Sequence, residues 1–186
     1  MAPERQQAVV YELVTERYGA RELEVVSIRG VEQISKPYSF EILVHGASID
    51  VPAFERDLLG QPATLWLRWA DDEARPVHGI VRRVEAEGIS GGGEHRHRFR
   101  VWLAPRLWLL SKGQNSRIFQ DRTVPQIVEA VLAERNVPCV FRLLGLHAPR
   151  RYCVQHQESD LAFVRRLLAE EGIFYSFEHP SDSDRE

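Results

Sequence analysis

Apolar and polar residues alternate with period two through most of the first ~110 positions, and turn residues break the alternation at short intervals, the signature of half-buried antiparallel strands. In "YSFEILV" the residues Tyr38, Phe40, Ile42 and Val44 share one face while Ser39 and Glu41 point away. The preceding Ser35-Lys36-Pro37 reads as the turn that starts this strand. Upstream, "VVYELVTE" and "ELEVVSIRG" predict two more strands, the second ending at Gly30. "TLWLRWA" is apolar on both faces, since Leu65 and Leu67 oppose Trp66, and is expected to be covered on both sides. "VHGIVRRVEAEGISGGGEHRHRFRVWLAP" predicts a long hairpin around three successive glycines, which allow positive φ at no steric cost. "FERDLLG" supplies a turn or two of helix at most. About six strands with no helical run of ten residues between them indicate a meander, sandwich or small barrel.

After Ser111 the period changes. "DRTVPQIVEAVLAERN" places Thr123 at an N-cap with Gln126 three residues on, a capping box, and Pro125 in the first turn where its missing N–H does no harm. Val124, Ile127, Val128, Val131 and Leu132 then follow the i, i+3, i+4, i+7, i+8 rule. At ~1.5–3 kcal/mol per buried aliphatic side chain, this stripe offers on the order of 10 kcal/mol of burial and must face a core or a partner. "RYCVQH" predicts a strand. A second helix follows, with Ser159 as N-cap, Asp160 in the first turn where acid complements the macrodipole, a stripe of Leu161, Val164, Leu167 and Leu168, and Gly172 at C′. "IFYSFEH" predicts renewed extended structure. The fold class is therefore α+β: an antiparallel barrel of about six to eight strands over 1–112, a smaller and incomplete α/β domain over 113–180, and a flexible tail over 181–186.

Composition narrows the class of protein. Across 186 residues, 44% are apolar, which fits an ordinary globular chain. A formal charge of -3 gives no overall pull toward a polyphosphate, so no nucleic-acid partner is expected. The first residues are charged where a signal peptide needs an apolar core, and no run of about 18 apolar residues occurs, so no stable membrane insertion is expected and the chain is expected in the cytoplasm when made. Two cysteines, Cys139 and Cys153, are too few for a disulfide framework or a four-thiolate metal site. Free thiols are expected. The loop "SGGGE" and the tail "PSDSDRE" read as flexible.

Four groups of residues carry possible chemistry. Cys153, His156 and Asp160 resemble a nucleophile, base and orienter, but on a strand Cys153 and His156 face opposite ways, roughly 10 Å apart at ~3.3 Å per residue. A nucleophile and base need contact at about 3 Å. A buried thiol beside a polar helix start is expected instead. His95 and His97 share a strand face, as two metal ligands can, and a hairpin centred near Gly91 or Gly92 would bring Glu85 and Glu87 to them. A solvated hairpin end with cross-strand pairs is the plainer alternative. Arg96, Arg98 and Arg100 line the opposite face beside Trp102, where they could meet phosphates or a partner's carboxylates, or keep a long hairpin from edge aggregation. Glu170 and Glu171 could form a catalytic pair of carboxylates, but they oppose the dipole at a helix C-terminus, and a helix face on which Arg165 and Arg166 compensate them is expected instead. Trp66, Trp69 and Trp108 lie in apolar runs and are expected in the core. No phosphate-binding glycine motif appears. No catalytic residue, metal ligand or cofactor site is assigned.

The segments "GVEQISKPYSFEILV", "LLGQPATLWL", "VHGIVRRVEAEG", "LAPRLWLLSKGQNSRIFQDRTVPQIVEAVL" and "RYCVQHQESDLAFVRRLLAEEGIFYSFEH" resemble, in this order, the phage-hub-like N-terminal part of the VgrG spike proteins of type VI secretion. The last block carries the resemblance most specifically, with Gln155, Glu158, Ser159, Phe163, Arg166, Leu167, Gly172, Ile173 and Tyr175 in register; His156 stands where the family has an aromatic residue. The resemblance implies a structural role without catalysis. It implies the hub base that docks on a secreted hexameric tube and supports a puncturing tip, self-association as a homotrimer in the full-length protein, and effector or adaptor partners. Assembly in the cytoplasm would precede secretion or delivery into target cells. A metal-dependent hydrolase using the His-x-His strand and a phage tail baseplate hub protein are the alternatives. Relative to the family the chain would hold the first barrel and the start of the α/β insertion, as a fragment or truncated homologue.

Overall fold

The computed structural model describes residues 9–47, 49–69, 73–90 and 96–181. Six strands close into a barrel: β1 Val10–Thr15, β2 Leu23–Gln33, β3 Lys36–Ala47, β4 Pro62–Arg68, β5 Ala74–Ser90 and β6 Arg96–Ala104. Their order is β1-β2-β3-β6-β5-β4, and β4 returns to β1 with Leu65 opposite Leu13 and Leu67 opposite Tyr11. Closure leaves no sheet edge to be covered, which a sandwich of the same strands would have to manage. The predicted alternation is what fills the barrel: Tyr38, Phe40, Ile42 and Val44 of β3 are buried, and so are Leu13, Leu23, Leu65, Val77, Val81, Phe99, Val101 and Leu103 from the other strands. Between β3 and β4 a helix of two turns, α1 Val51–Leu58, adds Phe54 and Leu58 to this core, with the Phe54 ring centroid 4.2 Å from that of Phe99.

Two expectations fail here for identifiable reasons. β2 does not end at Gly30 but runs on to Gln33, because Gly30 acts through its missing side chain: a Cβ there would overlap the Phe40 ring. The tryptophans expected in the core are only half-buried. Trp66 lies on the outer face with the Arg68 guanidinium 5.0 Å from its ring centroid, and the Lys112 ammonium stands 4.1 Å from the ring of Trp108. At these two positions a cation covers a face of the half-buried ring.

The chain folds as two compact units. Of the described residues, one comprises those up to Glu32, within Tyr38–Pro105 and from Phe177 onward, and the other comprises Gln33–Pro37 and Arg106–Ser176. The main segment of the second unit begins with a 3-10 helix at Arg106–Ser111 and continues with β7 Asn115–Arg122, α2 Val124–Ala133, β8 Arg150–Glu158 and α3 Asp160–Glu170. Antiparallel β7 and β8 form a two-stranded sheet. The α2 cap is as its residues dictate: the Thr123 hydroxyl accepts from the Gln126 N–H, and the Gln126 side chain accepts from the Thr123 N–H at 2.9 Å. All five residues of the α2 stripe are buried.

In α3 the Ser159 hydroxyl accepts from the Ala162 N–H at 3.2 Å. At the other end Gly172, at φ +68°, donates its N–H to the Ala169 carbonyl while Ile173 donates to Leu168, a Schellman closure. The buried stripe of α3 is Asp160, Phe163, Val164, Leu167 and Leu168, so Phe163 takes the place expected for Leu161, which is half-buried. Two further corrections concern strands. β7 has only the adjacent Ile118 and Phe119 as large apolar residues, too weak a pattern to announce it. "IFYSFEH" is extended with alternating exposure but joins no ladder, and its Tyr175 carbonyl accepts from the Ser35 N–H at 2.9 Å.

Candidate functional site

The alternation of β8 decides the first constellation. Cys153 and Gln155 point inward while Tyr152, Val154 and His156 are exposed, so Cys153 and His156 stand on opposite faces of the strand. Burial pushes the Cys153 thiol up, against the opposing pull of Arg150 and Arg166. A thiol held in its protonated form is a packing group rather than a nucleophile.

Asp160 stands in the first turn of α3, as its spacing predicts, and does more there than complement the helix dipole. It is 2% exposed, and beyond its place in the first turn of α3 it anchors a buried network. Its carboxylate accepts from Asn115 Nδ2 at 2.9 and 3.0 Å, from Gln155 Nε2 at 2.9 Å and from the Arg117 guanidinium. Arg117 Nε also donates to Gln155 Oε1 at 2.7 Å, and its other arm reaches Glu134 past α2. Burial alone would raise the Asp160 pKa, but the hydrogen bonds from Asn115 and Gln155 and the charge of Arg117 outweigh it and hold the carboxyl below its ordinary value. The network ties β7, β8, α3 and the residue following α2 together. Sequence spacing could not find it, because β7 itself was illegible and its Asn115 and Arg117 lie more than 40 positions from Asp160.

At the α3 C-terminus Arg166 does pair with Glu170 at i, i+4, at 3.1 Å. The stronger restraint comes from Arg150 at the start of β8, which clamps Glu170 at 2.5 Å and Glu171 at 2.7 Å, while His147 Nδ1 donates to Glu171 at 2.8 Å. The Arg150 hydrogen bond lowers the Glu170 carboxyl below its usual value; those of His147 and then Arg150 do the same for Glu171. Two carboxylates so neutralised are ionised structural groups, unlike an acid–base pair whose pKa values are pushed apart.

The β5–β6 hairpin separates His97 from the glutamates. The ladder sets His97 opposite Ile89 and Arg96 opposite Ser90, and a bulge between Ala86 and Gly88 shifts the register, with Gly88 at φ +104°. The bulge re-aims Glu85 and Glu87 onto the arginine face, so that Glu85 stands opposite Arg100. Arg98 and Arg100 both pair with Glu87, Arg100 also with Glu41 of β3, and Arg96 with Glu24 of β2. The row that could have met phosphates is neutralised by the barrel's own carboxylates. His95 and the glycine loop lie outside the described residues, as do the tail positions 182–186. Among the described residues no group of three His, Cys, Asp or Glu side chains is placed to hold a metal, and no helix is long and apolar enough to cross a membrane.

A second buried network, which no sequence motif announces, lies in the barrel unit. His78 of β5 is 1% exposed; its Nδ1 accepts from the Thr64 hydroxyl at 3.0 Å and its Nε2 donates to the Pro180 carbonyl at 2.8 Å. Its backbone N–H donates to His179 Nδ1 at 3.1 Å, and its carbonyl accepts from the Tyr38 hydroxyl. Through these bonds His179 and Pro180 are held on the barrel.

Comparison with known proteins agrees with this architecture. The family model for the phage tail baseplate hub (GPD) matches residues 31–185. The type VI secretion system spike protein VgrG4b of Pseudomonas aeruginosa is 40% identical over 167 residues, a match covering 87% of this chain and 19% of that one. The chain thus spans about a fifth of the length of the curated relatives it matches. Among solved structures, the Escherichia coli c3393 protein, described as a type VI secretion component with structural similarity to the bacteriophage T4 tail proteins gp27 and gp5, superposes with a TM-score of 0.73 at 28% identity, over 96% of this chain and 45% of that one. A tail protein from Neisseria meningitidis shares the fold alone, with a TM-score of 0.62 at 11% identity over 95% of this chain and 52% of that one. A closed barrel followed by a capped α/β unit, matched along nearly its whole length, makes this chain a member of the phage tail baseplate hub family, of the VgrG-like kind.

Proposed function

We propose that the chain serves as the hub base of a type VI secretion spike, docking on a secreted hexameric tube and supporting the puncturing tip. The observation that carries this reading is the match to a type VI secretion component over 96% of the chain. The geometry fits a load-bearing part. A closed barrel resists shear because each strand is paired on both sides, and its charged exterior is tied strand to strand by arginine–glutamate pairs. Buried Asp160 and His78 are held by hydrogen bonds from several elements, as structural groups are. In this role the chain works without a catalytic centre, as part of a homotrimer in the full-length protein, with effector or adaptor proteins as further partners. It is assembled in the cytoplasm and then secreted or delivered into a target cell.

A ring of identical subunits needs a heterologous interface that closes. Light scattering on the chain alone, and on the chain mixed with the remainder of the hub, tests the proposal. Association into a species of three copies under the second condition is expected; a monomer under both conditions counts against it.

A further inference from the structure

His179 reaches the barrel as a hydrogen-bond acceptor. Its Nδ1 takes the His78 backbone N–H at 3.1 Å, so in the neutral ring the proton sits on Nε2, which is buried and has no hydrogen-bond partner among the described residues. The same segment is held by the Pro180 carbonyl on His78 Nε2 at 2.8 Å and by two rings against Tyr38, Phe177 at 5.0 Å and His179 at 5.2 Å between centroids. We propose that residues 177–180 form a strap that acid loosens: protonation of His179 turns the acceptor that holds the His78 amide into a donor facing a donor.

His78 offers no such conversion, because its Nε2 already donates and the Thr64 hydroxyl beside its Nδ1 can turn from donor to acceptor. The groups facing His179 favour its neutral form. Burial lowers its pKa to about 4, His78 and Arg75 of β5 add to this, and Glu32 of β2, paired with Arg75 at 2.6 Å, opposes it. Tyr38 of β3 contributes a neutral ring. The sign follows from linkage. A free imidazole binds its proton near pH 6.5, so between about 6.5 and 4 the open strap holds more protons than the closed one, and closure weakens by up to about tenfold per pH unit. Below about 4 both forms are protonated and the dependence ends.

Amide hydrogen exchange of the full chain, corrected for the intrinsic pH dependence, reads this directly. The protection of the His78 amide is expected to fall about tenfold per unit between pH 6.5 and 4 and then level off, while Val44 and Val101 inside the barrel keep theirs. In His179→Phe, which keeps a ring against Tyr38 but cannot titrate, the profile is expected to be flat. A flat profile in the unmodified chain, the same slope in the variant, or loss of protection at Val44 and Val101 in parallel with His78 overturns the proposal. The His179 ring resonance in the unmodified chain provides a readout free of any folding defect: a midpoint near 4 supports the strap, and one near 6.5 defeats it.

Discussion

Asp160 occupies the first position of a helical stripe whose other members are Phe163, Val164, Leu167 and Leu168, and it is as buried as they are. A carboxylate in such a place survives only if its charge and lone pairs are met, which Arg117, Asn115 and Gln155 do. Replacing it with Ala leaves three donors facing an empty site. Asp160→Ala is expected to cost about 2–3 kcal/mol in urea denaturation, less than the ~3–5 kcal/mol of a fully buried broken pair because Arg117 keeps access to water and to Glu134. The pH dependence has a definite sign. A carboxyl whose folded pKa lies below its unfolded value of about 3.9 stabilises fully above that value and loses its contribution as the pH falls through the lower one. Stability of the unmodified chain should therefore decline more steeply below about pH 4 than that of Asp160→Asn, measured as midpoint against pH. Sequence could name Asp160 as a first-turn acid, since that needs only local spacing. It could not reveal the network, whose Asn115 and Arg117 arrive from a strand more than 40 positions away.

Helices were legible because their signals are local. The capping box of α2 lies within four residues and the stop of α3 within six, and each forms as its residue types dictate. Thr123→Ala is expected to lower thermal stability by about 1 kcal/mol through loss of the Gln126 N–H bond. Gly172→Ala should cost a similar ~1 kcal/mol from φ +68° alone, because a Cβ there meets nothing within 4 Å. Circular-dichroism melts of both variants check the pair. A larger loss at Gly172 would contradict a purely conformational cost. Strands fared less evenly. β3 announced itself through four buried residues in alternation, whereas β7 carries polar side chains at most positions and is defined by its pairing with β8. The β5–β6 register departs from the one expected because a bulge is a property of two strands together, and Gly88 in its own sequence looks like any glycine.

For the molecule as a whole, barrel closure is the decision that no single strand makes. The β1–β4 seam joins Leu13 to Leu65, both fully buried in the one core. Leu13→Ala and Leu65→Ala are each expected to cost about 3–5 kcal/mol, a large share of a domain's usual 5–15 kcal/mol. Since the two residues face each other across the seam, the double variant should lose less than the sum by about 0.5–3 kcal/mol. Strict additivity in guanidinium titrations would show that the seam does not couple them.

The sequence alone determined which residues turn inward, where the helices start and stop, and, through its last block, the family. Those properties depend on neighbours a few positions apart, so periodicity and cap chemistry express them directly. Only the tertiary structure decided that the alternating strands close, that Glu85 and Glu87 meet arginines rather than histidines, and that Asp160 and His78 are held by partners as far as 45 and 102 positions distant. The reason is physical: a residue pattern selects a face, but the identity of what covers that face is set by chain topology, which spacing along one strand does not contain.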